Sequence, residues 1–364
     1  RRDELEAGMA GRRPELYQRM LAELAEVATF ADDAGYFAFG HPEHHLQIEG
    51  FEISNAPCLM AMWLGRHAKR LRIVTCGFVS TANNPLMTAE KIATLDHMLS
   101  GRFGVGLVRG YQARWVENYK VRPELAAVGP WNEAGPENEL NREYFAEFVD
   151  VVVRALQHDT FSHRGRFWQF PPEGLVNPHD HPVYVRYGRG VDPDMRIREV
   201  GIAPKPFQQQ IPLYGGFSQS LRTAKFWARY KGRPIVLSDN AEFLAMLWQA
   251  WEEEARRYGH DVAPGSQACW GGIAVCAPTD AQANALYADM EWFWKTWATP
   301  FGQGRPQLLV GSPDTLNRQI DAMAKRVPLD EVFLLIPQGL HTPAQLQDSL
   351  DLFARKVMPN FSDT

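Results

Sequence analysis

Four titratable side chains fall within five positions: His41, Glu43, His44 and His45. They follow a strand-like run, Tyr36 to Phe39, that closes at Gly40. Imidazoles titrate near neutrality, so a histidine held at a strand end suits general acid–base work. The plain alternative for any single histidine is a satisfied loop residue, and that is the commoner case. Three histidines and a glutamate at the top of one strand move the balance toward chemistry. A metal reading of His41, His44 and His45 is weaker, because adjacent ligands on a strand end point apart. His179-Asp180-His181 is a fainter metal hint and reads as a solvated loop. No metal is expected.

Two other places suit an anion. Arg109-Gly110-Tyr111 ends a strand-like run, and an arginine beside glycine can grip a phosphate through two parallel hydrogen bonds. Its alternative is a surface arginine in a turn. Gly215-Gly216-Phe217-Ser218-Gln219-Ser220 joins a strand to a helix, where glycines admit close approach and the helix N-terminus attracts negative charge. Alone, that stretch is also an ordinary helix cap. Trp292, Phe293, Trp294 and Trp297 read as core and interface before they read as a substrate wall.

The elements that must hold these residues alternate. Pro14 to Ala34 carries a helical apolar stripe, with Gly35 placed as its C-terminal cap. Strands are expected at 36–39, 71–79, 103–108, 211–215, 235–237, 269–276 and 331–336. Helices are expected at 57–67, 88–99, 139–156, 218–230, 241–258 and 279–297, then behind Ser312-Pro313 and Thr342-Pro343. Short connections between strands and helices predict a parallel sheet. Seven strands are one short of a barrel, and the eighth is expected ahead of the first helix, where the chain opens at Arg1 rather than Met. Residues 112–137 and 159–206 break the rhythm and read as functional insertions, the second with short hairpin strands around Phe167–Phe170 and Val183–Arg186. One domain, 1–364, is expected.

At 364 residues, 45% hydrophobic and 22% charged, the chain has an ordinary globular balance, and barrels reach this size as one domain. A net charge of −5 gives no argument for nucleic acid or an anionic membrane. Four scattered cysteines, with no C-x-x-C pair, fit reduced thiols in the cytoplasm. There is no G-x-G-x-x-G fingerprint for a dinucleotide domain.

In their order these elements resemble the bacterial luciferase-like, flavin-dependent monooxygenase family. The resemblance runs from about Pro14 to Phe353 and is tightest over 36–111. There the Glu-His-His triplet is followed by Pro85-Leu-Met-Thr-Ala-Glu90, Leu95-Asp96, Ser100-Gly101-Arg102-Phe103 and Gly106-Leu-Val-Arg109-Gly110. It implies an α/β fold, a (β/α)8 TIM barrel with long insertions at the carboxyl-terminal face. It further implies that His44 is the acid–base group near the flavin, supported by Glu43 and His45. Cys76 and Gly77 would form a non-proline cis peptide under the flavin ring, and Arg109 would bind the phosphate with Gly110 and Tyr111 nearby. Gly215, Gly216 and Ser218 would fall in the phosphate loop.

The implied reaction uses reduced FMN from a separate NAD(P)H:flavin reductase and O2, through a C4a-hydroperoxide, to oxygenate a small organic substrate. A homodimer, packed through the helices after the second and third strands, is implied as well. Val108 stands where luciferase alpha subunits have cysteine, so light emission is not implied. Three rivals remain: an F420-dependent hydride-transfer enzyme of the same superfamily, a non-catalytic flavin-binding subunit, and an unrelated barrel hydrolase using Glu43.

Overall fold

Runs of β-branched and aromatic residues, each followed by an amphipathic helix, build a mostly parallel sheet in this computed structural model. The structure describes residues 1–129, 132–179 and 181–361. The sheet strands are β1 (Ala38–His41), β2 (Arg72–Val79), β3 (Phe103–Val108), β4 (Leu213–Gly215), β5 (Arg233–Val236), β6 (Cys269–Cys276), β7 (Leu308–Gly311) and β8 (Glu331–Leu335). The longer helices are α1 (Pro14–Asp33), α2 (Pro57–His67), α3 (Pro85–Met98), α4 (Pro136–Gln157), α5 (Leu221–Ala228), α6 (Ala241–Arg257), α7 (Asp280–Phe293), α8 (Pro313–Ala324) and α9 (Pro343–Lys356). The architecture is α/β of the TIM-barrel type.

The chain groups into two compact units. The first holds Arg1–Gly77, Gly104–Gly106 and the residues from Pro212 onward. Its strand order is β1-β2-β3-β4-β5-β6-β8, with β7 added beside β6. Ala38 to His41 pair with Arg72 to Thr75, and Glu331 to Leu335 pair with Cys269 to Ile273, both in parallel. β6 is buried along its whole length, which is why it reads as an unbroken apolar run. Behind it, Leu244, Leu247, Trp248 and Trp251 of α6 join Trp270, Leu309 and Ile320 in one core cluster. Removal of each such side chain from water contributes about 1.5–3 kcal/mol. The Thr342 capping box forms as its sequence predicts, with Thr342 accepting from Gln345 N–H and Gln345 reaching back.

Three expectations change. The sheet has eight strands, because Leu308–Gly311 pairs with Ile273–Cys276. Four residues wedged between a loop and the Ser312-Pro313 helix start carry too short a period to be read as a strand. Val183–Arg186 is helical, inside Pro182–Tyr187, since proline at the first position sets a helical turn. Within 112–137, Ala113–Tyr119 also forms a short helix.

The second unit, Phe78–Phe103 with Leu107–Ile211, is built on α3 and α4. Asp96, fully buried in α3, accepts from Gln208 N–H at 2.7 Å and from the Gln208 side chain at 2.6 Å. Glu147 in α4 accepts the backbone N–H groups of Arg166, Phe167 and Trp168. That carboxylate holds the turn of the hairpin formed by His163–Arg164 and Gln169–Phe170.

Strands β2 and β3 come closest at Gly77 and Gly106. A Cβ on Gly77 would lie 2.0 Å from the Gly106 carbonyl oxygen, which is backbone and cannot swing aside. Gly77→Ala is therefore expected to cost about 3 kcal/mol or more, read as a lowered midpoint in chemical denaturation. An unchanged midpoint would contradict the packing of this strand pair.

Candidate active site

The residues singled out in sequence fall into three places. The first is the end of β1. His41 completes the strand, Pro42 turns the chain, and Glu43, His44 and His45 follow. The turn is fixed by two hydrogen bonds: His44 N–H donates to Ser54 O at 2.9 Å, and Ser54 Oγ donates to Pro42 O at 2.7 Å. Glu43 is buried, with Oε1 3.0 Å from His45 Nε2. His44 turns Nδ1 away from solvent, 3.6 Å from Glu52 Oε2. Glu43 and His45 thus hold each other, and His44 is among the residues that line a cavity.

That cavity has a volume of about 960 Å³ and lies within the first unit. Phe39, His41, His44, Cys76, Phe293 and Trp294 are among its lining. Its walls are mostly apolar, with a few polar groups that could orient a ligand. Among the described residues neither ring nitrogen of His41 has a well-formed hydrogen bond. Burial pulls the His41 pKa down to about 4, with the Pro42 backbone offsetting part of that. The ring is neutral at working pH.

Cys76 and Gly77 lie in the carboxyl half of β2, directly after the Thr75 that pairs with His41. The peptide bond between them is cis, where the family resemblance implies one. Burial, with the charge of Glu331, pushes the Cys76 thiol up to about 12. It is a neutral wall group and no nucleophile.

The second place is the turn after β4. Gly215 and Gly216 lead to Phe217 at φ 36°, and the helix begins at Leu221 rather than at Ser218. Ser220 is the cap, its Oγ accepting from Thr223 N–H at 3.2 Å. Ser218 is buried, and its N–H donates to Ile235 O at 2.8 Å. The Ser218 N–H is thus already satisfied, and the first turn of α5 is the helix start in this stretch.

The third place lies in the second unit. Arg109 Nη1 donates to Asn138 Oδ1 at 2.5 Å, and Thr81 Oγ1 donates to Arg109 O at 3.0 Å. Gly110 has φ 93°, and a side chain there would meet Val79, Trp115 and Val116 within 3.0 Å. The turn therefore requires glycine, and it holds Arg109 at the strand end. Gln112 donates to the Tyr111 hydroxyl at 2.7 Å.

Sequence reasoning passed over Glu52, Phe51, Asn138 and the burial of His41. Glu52 and Phe51 lie in a loop with no periodicity, and Asn138 is distant in sequence from Arg109. Trp297, read from sequence as core, stacks on Phe51 at 5.0 Å and 11°. Among the described residues no three His, Cys, Asp or Glu are grouped to hold a metal ion; Asp180 of the His179-Asp180-His181 stretch lies outside them.

Comparison with known proteins decides the family. The description that matches is the luciferase-like monooxygenase, over residues 8–333. The chain belongs to that family. The alkanal monooxygenase alpha chain of Aliivibrio fischeri is 26% identical over 63% of this chain and 52% of its own, so this chain spans about half the length of that relative. The FMNH(2)-dependent dimethylsulfone monooxygenase of Pseudomonas putida is 23% identical over 94% of this chain and 87% of its own. Among solved structures, the oxygenating constituent of 3,6-diketocamphane monooxygenase from Pseudomonas putida, in complex with FMN, has a TM-score of 0.71 at 19% identity. That match covers 94% of each chain and shows the shared luciferase-like fold.

The neutral state of His41 has a consequence for stability. Below its ordinary value of 6.5 the unfolded chain takes a proton that the folded chain refuses until about 4. The His41 contribution therefore weakens stability as pH falls from 6.5 to 4. Wild type should lose stability faster than His41→Leu across that window, with a slope difference of about 1.4 kcal/mol per pH unit at its steepest. Urea titrations at several pH values measure it, and parallel slopes would refute the buried neutral imidazole.

Proposed function

We propose that this chain is the oxygenating component of a two-component flavin monooxygenase, taking reduced FMN from a separate NAD(P)H:flavin reductase and oxygenating a small, largely apolar organic substrate with O2. The observation that carries the reading is His44, held at the end of β1 with its Nδ1 sealed and facing a cavity of about 960 Å³. Oxygenase chemistry is what family membership implies, and FMN is supported by the relatives named for it or solved with it.

Each unit by itself carries residues suited to part of such a cofactor. Arg109 is a fixed cation at a strand end, suited to a phosphate, with Gly110 and Tyr111 beside it. The Gly215-Gly216 turn and the capped start of α5 offer a second group of N–H donors. Cys76 and Gly77 are small and neutral, a surface on which a flat aromatic ring system can lie. When bound in its reduced form, FMN would supply the two electrons and the reaction with dioxygen.

The protein does the rest. Phe39, Phe293 and Trp294 keep water from the reacting groups. His44 Nε2 holds or moves a proton at the reacting oxygen, while the Glu43–His45 pair keeps the loop in place. His41, neutral and buried, can hydrogen-bond a polar group of the substrate. Exposed Met87 and Met98 on α3, the helix after β2, support self-association as a homodimer. The thiols of Cys76, Cys269 and Cys276, none of them in a disulfide, suit the cytoplasm. Among the described residues no helix is long and apolar enough to cross a membrane.

The test is a stopped-flow mixing of the protein and reduced FMN with oxygenated buffer. Flavin reoxidation is expected to be slowed and biphasic, and His44→Ala is expected to return it toward one phase. Reoxidation at the free-flavin rate, or binding of F420 in preference to FMN, would overturn the proposal. By equilibrium dialysis Arg109→Ala should weaken FMN binding by about tenfold to a hundredfold, the worth of a charge-assisted phosphate contact. Unchanged affinity would remove Arg109 from the site.

A further inference from the structure

We infer that Glu52 is a positioning residue that sets the tautomer and orientation of His44 through Nδ1. This rests on the reading of His44 as the proton-handling group of the site. Helix α7 does not stop at Phe293 but runs into a wide π turn, Trp294–Ala298. Such turns are rare, and they re-aim side chains at functional places. Here the turn lays Trp297 against the loop that follows His45. Its indole stacks on Phe51, and Phe51 also lies 5.9 Å from the rings of Trp292 and Phe293.

The clamp ends in a hydrogen bond. Trp297 Nε1 donates to Glu52 Oε2 at 2.8 Å, and this same oxygen lies 3.6 Å from His44 Nδ1. Glu52 sits at φ 51°, in the left-handed region that non-glycine residues enter at a cost of about 1 kcal/mol. The stacked rings and the indole bond hold it there. At 3.6 Å the imidazole contact is longer than a hydrogen bond, as catalytic contacts often are before a ligand binds.

A carboxylate beside Nδ1 favours the proton on that nitrogen. Nε2 is then left with its lone pair, so His44 meets the cavity as an acceptor rather than a donor. Nothing in the Glu-His-His triplet specifies this choice. A carboxylate nine residues from Glu43 makes it, delivered by a tryptophan from another helix.

The test reads the tautomer directly. Protein labelled with 15N-histidine would be examined by NMR, with the His44 signals assigned by their loss in His44→Asn. In wild type the Nδ1–H form should predominate by about tenfold. In Glu52→Leu it should fall to a minority, and in Trp297→Phe, which keeps the stacked ring but loses the N–H, to an intermediate share. Thermal unfolding of each variant checks the fold, with Glu52→Gln standing in if the leucine variant does not fold. A tautomer ratio unmoved by every Glu52 variant would overturn the inference. Oxygenation by Glu52→Leu should fall about tenfold or more in kcat with little change in KM. A shifted tautomer with unchanged kcat would leave Glu52 as the positioning group and refute the catalytic reading of His44 instead.

Discussion

Parallel pairing of β1 with β2 is the constraint on which the candidate site depends. Parallel strands cannot be joined by a tight turn, so each must return through a helix, and all strand ends of one sense then share one rim. The register Ala38↔Arg72 through His41↔Thr75 places His41 beside Thr75. The Glu-His-His turn therefore leaves β1 alongside the Cys76–Gly77 pair, which lies inside β2. A register slip of one residue would turn every side chain of β1 to the other face and dissolve that relation.

The opposite ends of the strands carry a different kind of polarity. Arg233 at the start of β5 lies 2.6 Å from Asp330 and 2.7 Å from Glu331, which opens β8. Burial raises the pKa of Glu331, with the Arg233 charge working against that rise. This network ties β5 to β8, and its side chains also line the cavity. These side chains are partly exposed, so solvent screens them and each pair contributes about 1 kcal/mol or less. The candidate acid–base groups lie at one end of the strands and this ion-pair network at the other.

Much of this was legible in sequence where the signal was periodic or local. The stripe in Pro14–Asp33, the buried run Cys269–Cys276 and the Thr342 cap all follow from the local chain, and all form. Leu308–Gly311 was not legible, because a four-residue apolar run before a helix cap is a strand only if β6 has an edge to receive it. The start of α5 moved from Ser218 to Leu221 because the Gly215–Phe217 turn and the bond from Ser218 to Ile235 carry the chain onward first.

The sequence by itself determined the alternation of strands and helices, the place of Glu43, His44 and His45 at a strand end, and the family likeness. Those features reside in residue types a few positions apart. The tertiary structure alone decided the surroundings of each imidazole. His41 became a neutral wall group because the fold buried it without a well-formed partner, and His45 turned to Glu43. His44 gained Glu52 through a stacked tryptophan 253 residues further along the chain, Trp297. Burial and long-range contact set proton chemistry, and neither is written in the spacing of the residues that carry it.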